Sequence, residues 1–167
     1  MIPSAMTPPP ITPSSINAAL ASYLDAATRA PFSWRTNNCC HFAAGWWLCM
    51  TGVDALAGFA MPVGPLAARH LLLTAGGSVP PAGGPGRALL SLVGCRTGRA
   101  SVMPHWAQVG DLVAMSVGGP GSDINAGTGV ALGICCGRTA VLLGDDGTTV
   151  HLPVAGGLCA WPLRVPA

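Results

Sequence analysis

The residues of this chain that could do chemistry are its seven cysteines, which allow three interpretations: disulfides, metal ligands or a catalytic nucleophile. The odd count argues against a disulfide framework. Zinc and iron–sulfur sites usually present Cys-x2-Cys pairs. This chain instead has the adjacent pairs Cys39-Cys40 and Cys135-Cys136, whose neighbouring side chains diverge on a helix or a strand. The spacing therefore predicts no metal site and no cofactor, and it favours a nucleophile.

Cys39 is the best placed candidate nucleophile. Asn38 is a good N-cap for a helix from Cys39 to about Met50, and the positive end of a helix dipole stabilises a thiolate. The alternative role for Cys39 is packing, because free cysteines are among the most often buried residues.

The elements that position Cys39 follow from caps, prolines and hydrophobic periodicity. A first helix begins at Ser14 or Ser15 and has to end before Pro31. The helix of Cys39 ends near Gly52, and a third helix begins at Pro65. This third helix is predicted to end at Gly76-Gly77. A Gly/Pro-rich loop at 78–86 then leads into a brief helical segment, Arg87–Val93.

The second half of the chain has the alternation and turn residues of β-structure. Helices followed by a small antiparallel sheet predict an α+β fold. Residues 1–14 form a Pro-rich arm that cannot be helical, and residues 15–167 form one domain. Asp146-Gly147 is predicted to be a tight hairpin turn. The predicted strands are Asp111–Val117, Val130–Cys136, Ala140–Leu143, Thr148–Leu152 and a closing strand near Cys159–Val165.

Composition excludes several classes of function. Charged residues make up 8% of the 167 residues, against roughly 25% in ordinary soluble domains, which excludes charge-driven disorder. A net charge of +2 carried by scattered arginines does not form the clustered basic surface that binds nucleic acid. No apolar run reaches the roughly 20 residues of a membrane span, and the Pro-rich start is no secretory signal, so we expect synthesis in the cytoplasm. The charge-poor surface predicts contacts with other subunits; a GC-rich genome is the alternative explanation of the composition.

Three short motifs carry a resemblance to a known family. The segment Asn38-Cys39-Cys40-His41-Phe42 resembles the Asp-Cys-Ser-Gly-Phe motif of the NlpC-type cell-wall cysteine peptidases, a papain-like superfamily. Gly-Asp-Leu-Val at 110–113 and Ala-Leu-Gly-Ile-Cys-Cys-Gly at 131–137 resemble two later motifs of that family, in the same order. The resemblance spans roughly residues 16–165. It implies a papain-like domain with N-terminal helices packed on a small antiparallel sheet.

The first motif looks most like an uncharacterised branch of that superfamily, which is encoded among the tail genes of long-tailed bacteriophages. In that branch the pattern Trp-x-x-x-(Asn/Asp)-Cys-Cys-x-Phe-Ala-Ala recurs. Trp34, Asn38 and Phe42 stand in those places here, together with Cys39-Cys40 and Ala43-Ala44.

Ala131 stands where the resemblance implies the catalytic histidine. Without an imidazole the thiol lacks a proton acceptor and the leaving amine lacks a donor, an assistance that is typically worth about 10²–10⁴-fold. His151, on the strand after the hairpin, is the best candidate for a substitute base. His105 could swing in from a loop, whereas His41 points roughly 200° around the helix from Cys39. The alternative for each histidine is a surface or packing role.

Other conspicuous residues have simpler interpretations. Asp111 is predicted to hydrogen-bond local backbone at the start of a strand. The five tryptophans could stack on sugars, but Trp46 and Trp47 are better explained as core, and the other three as core or interface anchors. The Gly-rich string at 116–129 lacks the Gly-Lys-Ser/Thr of a phosphate-binding loop, so we expect a flexible or partner-contacting loop.

The resemblance implies two functions of different classes. In the first, the chain is a structural or assembly component of a phage tail tip or hub, located in the virion, and its partners are hub, distal tail or tip subunits. In the second, it is an active tail-associated peptidoglycan endopeptidase with Cys39 as nucleophile. A thiol enzyme unrelated to phage is a third possibility.

Overall fold

The structure is a computed structural model that describes residues 13–74, 84–117 and 129–164. It is an α+β fold with the helices first, as predicted. Within these ranges four helices precede five strands, and two single 3-10 turns lie at Pro104–Trp106 and Val154–Gly156. The helices are α1 Pro13–Ala27, α2 Cys39–Thr51, α3 Pro65–Thr74 and α4 Gly84–Thr97. The strands are β1 Leu112–Ser116, β2 Val130–Cys135, β3 Thr139–Leu143, β4 Thr149–Pro153 and β5 Gly157–Trp161.

The strands form one antiparallel sheet in the order β4-β3-β2-β1-β5. Alternating side chains of each strand point to opposite faces. One face, which we call the helix face, includes Leu132, Ile134 and Val141, and it packs in one core with buried residues of all four helices. The other face, which we call the second face, includes Met115 and Ala131. Residues near the two 3-10 turns cover it, and Val154 is among them.

The predicted hairpin turn is present between β3 and β4. Gly147 has φ +80°, a left-handed conformation that favours glycine. The Asp146 carboxylate accepts hydrogen bonds from the backbone N–H of Thr148 at 2.9 Å and from its hydroxyl at 2.7 Å. The Asp146-Gly147 pair therefore predicts the position of this turn correctly.

The start of the first helix differs from the prediction. Residues 1–12 of the proposed arm lie outside the described residues, but Pro13 and Ser14 belong to α1. A proline is tolerated in the first turn of a helix, because the N–H that it lacks has no partner within the helix there. Pro13 can therefore begin the helix that buries Ile16 and Leu20.

The fourth helix and the last strand also differ. The helix α4 runs over Gly84–Thr97 rather than Arg87–Val93, because Leu89 and Val93 are buried in the core and favour a longer helix over the loop preference of Gly84-Pro85-Gly86. The strand β5 ends at Trp161 rather than near Val165, since its pairing with β1 ends there. Residues 75–83 and 118–128, which include the predicted helix end and most of the Gly-rich loop, lie outside the described residues. Within the described ranges, none of the helices is long and apolar enough to cross a membrane.

Candidate functional site

Asn38 determines where the helix of the candidate nucleophile begins. Its backbone is extended, with φ −127° and ψ −177°, and its side-chain oxygen accepts hydrogen bonds from the backbone N–H groups of Cys40 at 2.9 Å and His41 at 3.1 Å. Its Nδ2 donates to the carbonyl oxygen of Trp34 at 2.6 Å. This buried amide therefore satisfies two free N–H groups of α2 and ties the helix to the preceding loop.

Cys39 is the first residue of α2, as the sequence predicts, and its side chain is partly buried against the second face of the sheet. Its thiol has a pKa lowered to about 7. The main cause is a hydrogen bond from the Cys40 thiol, and backbone N–H groups, that of Leu132 among them, add to the effect against the opposing cost of burial. The lowered pKa favours the thiolate near neutral pH, the form that acts as a nucleophile.

Cys40 supports this thiolate rather than competing with it. Its side chain packs against the core of the helix face, and hydrogen bonding to Cys39 together with burial raises its own thiol pKa well above the ordinary value. Cys40 therefore keeps its proton and donates it toward the Cys39 sulfur. The two adjacent thiols differ mainly because Cys40 donates and Cys39 accepts in the hydrogen bond between them.

Ala131 lies on β2, next to the strand residue whose N–H favours the Cys39 thiolate. It is 3% exposed, pairs directly with Met115 of β1, and belongs to the same apolar cluster against which Cys39 packs. Val113, Leu142 and Val154 are further members of that cluster. The face of the sheet that adjoins Cys39 is thus hydrocarbon at the position where the resemblance implies an imidazole.

The structure does not bring His151 to Cys39. His151 is exposed on β4 and pairs directly with Val141, so its side chain lies on the helix face of the sheet. Ala131 lies on the second face, and β3 separates β4 from β2. A substitute base at His151 therefore finds no support in the geometry, because His151 lies on the outer strand and no contact of its imidazole with Cys39 is recorded among the described residues.

The other two candidate histidines are also placed elsewhere. His105 is exposed in the turn Pro104–Trp106, where its ring meets that of Trp106 edge-on at 5.9 Å. His41 is partly buried on α2, and burial lowers the pKa of its imidazole. Its Nδ1 is buried without a hydrogen-bond partner among the described residues. Neither ring has a recorded contact with the Cys39 sulfur in this part of the chain.

Asp111 has the structural role that the sequence predicts, and it also bonds a residue that is distant in sequence. Its carboxylate accepts hydrogen bonds from the backbone N–H groups of Gln108 and Leu163, both at 2.8 Å. Burial raises the pKa of this carboxyl group, while the two N–H donors oppose the rise. Asp111 thus fixes the start of β1 and holds the segment after β5 against it.

An apolar cavity of about 100 Å³ opens beside the two cysteines. It lies between α2, the segment 55–62, α3, α4 and the strands β1 and β2. Small residues widen it, and the larger side chains that line it are almost all hydrocarbon. Representative lining residues are Ala43, Ala44, Ala68, Leu72, Leu89 and Leu132.

The polar residues of the cavity wall make hydrogen bonds within the protein. Asn38 caps α2, as described above. Arg96 donates to the carbonyl oxygen of Ala57 at 2.9 Å, and the Thr97 hydroxyl donates to the carbonyl oxygen of Val93 at 2.8 Å. The two thiols are therefore the groups through which this wall can react.

The family described as Domain of unknown function (DUF6950) matches residues 14–163. This chain belongs to the DUF6950 family. The match includes Cys39, Ala131 and the whole cavity wall, so the site lies within the DUF6950 domain. No curated protein and no solved structure matches the chain.

Three further cysteines of the DUF6950 domain, all in the β-sheet region, are less acidic than Cys39. Burial raises the thiol pKa of Cys135, Cys136 and Cys159, that of Cys136 to about 11. Cys49 and Cys95 are exposed. Across the described ranges, His, Cys, Asp and Glu side chains form no group of three or more that could hold a metal ion.

Sequence reasoning missed two features of the DUF6950 site, namely the donor role of Cys40 and the cavity. The cavity depends on how α3 and α4 pack over α2, which short motifs do not encode. The tryptophans agree in part with expectation: Trp46, Trp47 and Trp161 are buried in the core, and Trp106 is 69% exposed. The adjacent small residues Ala43-Ala44, one turn after Cys40, were the available sequence signal of a space beside the thiols.

Proposed function

We propose that the chain is a structural or assembly component of the tail tip or hub of a long-tailed bacteriophage, built on a catalytically degenerate papain-like fold of the NlpC type. The main observation in favour of a degenerate catalytic site is that Ala131 is buried in an apolar cluster beside Cys39. Amide hydrolysis needs an acid to protonate the leaving nitrogen. Among the described residues, no histidine is one of the groups that shift the pKa of the Cys39 thiol.

The fold supports the papain-like part of the proposal. A cysteine at the start of a buried helix, packed against a small antiparallel sheet, is the arrangement that the resemblance implies. The segment Gly110–Val113 leads into β1, the strand that pairs with β2. The three motifs of the resemblance thus meet around one helix and two adjacent strands.

The surface supports a role in assembly. Few charges are available to keep a free monomer apart from its neighbours, and several large apolar side chains are exposed. Such side chains suit contacts with other tail proteins, which we propose as the partners. The most exposed of them are Leu66, Trp106, Val63 and Met103.

The second candidate function is that of an active tail-associated peptidoglycan endopeptidase. The thiol pKa of about 7 at Cys39 favours it, because a ready thiolate at a helix N-terminus is a common feature of cysteine nucleophiles. Against it stands the missing proton donor. A thiolate can attack an amide, but the nitrogen leaves slowly without protonation.

Complementation of a gene deletion in the phage that encodes the chain separates the two functions. Plasmids supply the natural chain, Cys39→Ala or no protein, and purified particles are examined by electron microscopy and quantitative mass spectrometry. We expect the deletion to yield defective tails, and both chains to restore normal tails with a small fixed copy number. Absence of the chain from purified virions would overturn the structural proposal. Failure of Cys39→Ala at an equal copy number, with loss of cell-wall cleavage, would favour the endopeptidase.

A further inference from the structure

The proposed role in tail assembly does not require the cavity beside Cys39 and Cys40. Its wall is hydrocarbon, and its polar side chains Asn38, Arg96 and Thr97 are already hydrogen-bonded within the protein. A polar guest would lose its hydrogen bonds to water and find few new ones there. The occupant that fits such a wall is a hydrocarbon group.

The size of the cavity limits that hydrocarbon. An apolar cavity of about 150 Å³ in another protein holds benzene, which has six carbon atoms. A volume of about 100 Å³ therefore corresponds to a short hydrocarbon group, on the order of four carbons, such as the part of a hexanoyl chain beyond its first two carbon atoms. The opening of the cavity leaves room for a longer chain to protrude.

The thiol at the edge of the cavity suits one class of reaction better than others. Amide cleavage needs an acid for the leaving nitrogen. A thioester releases a thiolate, whose conjugate thiol has an ordinary pKa of about 8.5, so the leaving group needs no acid. Cys39 can therefore exchange with a thioester without the histidine that is replaced at position 131. Cys40, which keeps its proton, assists by holding the Cys39 sulfur in place.

We propose that Cys39 accepts an acyl group from a soluble acyl thioester and that the cavity holds the hydrocarbon chain of this group. The Cys39 thiolate sulfur attacks the thioester carbonyl carbon, and a new carbon–sulfur bond forms. The bond from that carbon to the donor sulfur breaks, and the donor leaves as a thiolate that takes a proton from water. No oxidant or reductant takes part. The acyl-Cys39 product persists, since no imidazole lies beside it among the described residues to activate water.

This inference goes beyond the proposed tail function, and each can fail without the other. Acylation depends on Cys39 and the cavity and is measured on the purified chain. Tail assembly is measured on phage particles. Cys39→Ala keeps the tail structure under the first proposal and abolishes acylation under this one.

The test is incubation of the full chain with acetyl-, hexanoyl- or hexadecanoyl-coenzyme A at pH 7.5, followed by intact-mass and peptide mass spectrometry. We expect one acyl group on Cys39, released by neutral hydroxylamine, and transfer of hexanoyl at least 10-fold faster than acetyl. The exposed Cys49 and Cys95 are internal controls for nonspecific acylation. Equal modification of these thiols, or no preference for hexanoyl over acetyl, would overturn the proposal.

A pair of variants on one helix tests the cavity itself. Ala68 lines the cavity, whereas its neighbour Ala67 does not. We expect Ala68→Leu to slow hexanoyl transfer at least 10-fold and to leave acetyl transfer within about 2-fold, because the added side chain fills the space. Ala67→Leu should change neither rate. Iodoacetamide labelling of Cys39 at the natural rate shows that each variant is folded, and an equal effect of both variants on hexanoyl transfer would contradict the inference.

Discussion

The Nε1 of Trp46 donates a hydrogen bond to the carbonyl oxygen of Gly110 at 2.7 Å, across 64 residues of chain. Trp46 belongs to the same helix as Cys39, and Gly110 begins the segment that leads into β1. The bond is buried and ties the helix of the candidate nucleophile directly to the sheet. Two of the motifs behind the resemblance are therefore in physical contact.

Gly110→Ala is expected to destabilise the protein by about 2–5 kcal/mol. Gly110 has φ +95°, and an added Cβ would lie 2.9 Å from the Ile16 side chain, so a backbone cost of roughly 1–2 kcal/mol adds to overpacking of roughly 1–3 kcal/mol. Gly52→Ala is the control, because Gly52 has φ +73° with open space around it and costs only about 1–2 kcal/mol. Urea unfolding measures both. Equal losses would show that the packing around Gly110 can relax.

Trp46→Phe is expected to cost more stability than Trp47→Phe, by about 1–2 kcal/mol. Both indoles are buried, so both substitutions remove a similar volume. Trp46 loses its bond to Gly110, which leaves a buried carbonyl oxygen without that donor. The Nε1 of Trp47 has no hydrogen-bond partner among the described residues and so loses none. Thermal and urea unfolding of the two variants give the difference, and a larger loss for Trp47→Phe would refute this assignment.

Cys39 alkylation is expected to rise with pH around a midpoint near 7, because the thiolate is the reactive form. Cys40→Ala removes the main hydrogen bond that lowers this pKa, so the midpoint should move up toward about 8.5. At pH 7 the variant should then react roughly 10-fold more slowly, since a much smaller fraction of its thiol is ionised. Iodoacetamide kinetics read by mass spectrometry test both expectations.

His151→Ala is the control for that experiment. His151 lies on the outer strand β4, and it is not among the groups that shift the pKa of Cys39, so we expect the midpoint to stay near 7. A shift of the Cys39 midpoint in this variant would mean that an imidazolium does stabilise the thiolate. That result would favour the endopeptidase function over the structural one.

Asp111→Ala is expected to cost about 2–4 kcal/mol, because the backbone N–H groups of Gln108 and Leu163 both lose their acceptor. Asp146→Ala is a matched loss of a carboxylate in an exposed turn, where water replaces the lost bonds, and it should cost about 1 kcal/mol or less. Urea unfolding at pH 7 compares the two. A similar cost at both positions would show that the Asp111 bonds contribute little.

Much of the fold could be predicted, because local signals decide it. Asn38 as N-cap, Gly52 as C-cap and the Asp146-Gly147 turn each specify backbone geometry by their own chemistry. The extent of α4 could not be predicted, since burial of Leu89 and Val93 outweighs the loop preference of Gly84-Pro85-Gly86.

The site was predictable only where it depends on a single element. The position of Cys39 at a helix N-terminus follows from its own neighbours in sequence. The role of His151 depends on which face of the sheet it occupies, and a register shift of one residue reverses that face. The cavity depends on the packing of three helices, which the sequence pattern did not reveal.

Ala131 pairs with Met115 inside a close-packed apolar cluster. This pairing determines whether a single mutation could create a hydrolytic activity. An imidazole at position 131 would be larger than the methyl group that it replaces, and it would exchange hydration for hydrocarbon neighbours. Ala131→His alone would therefore yield a strained, poorly basic histidine. An evolutionary route from this chain to a hydrolase has to pass through a repacked second face first.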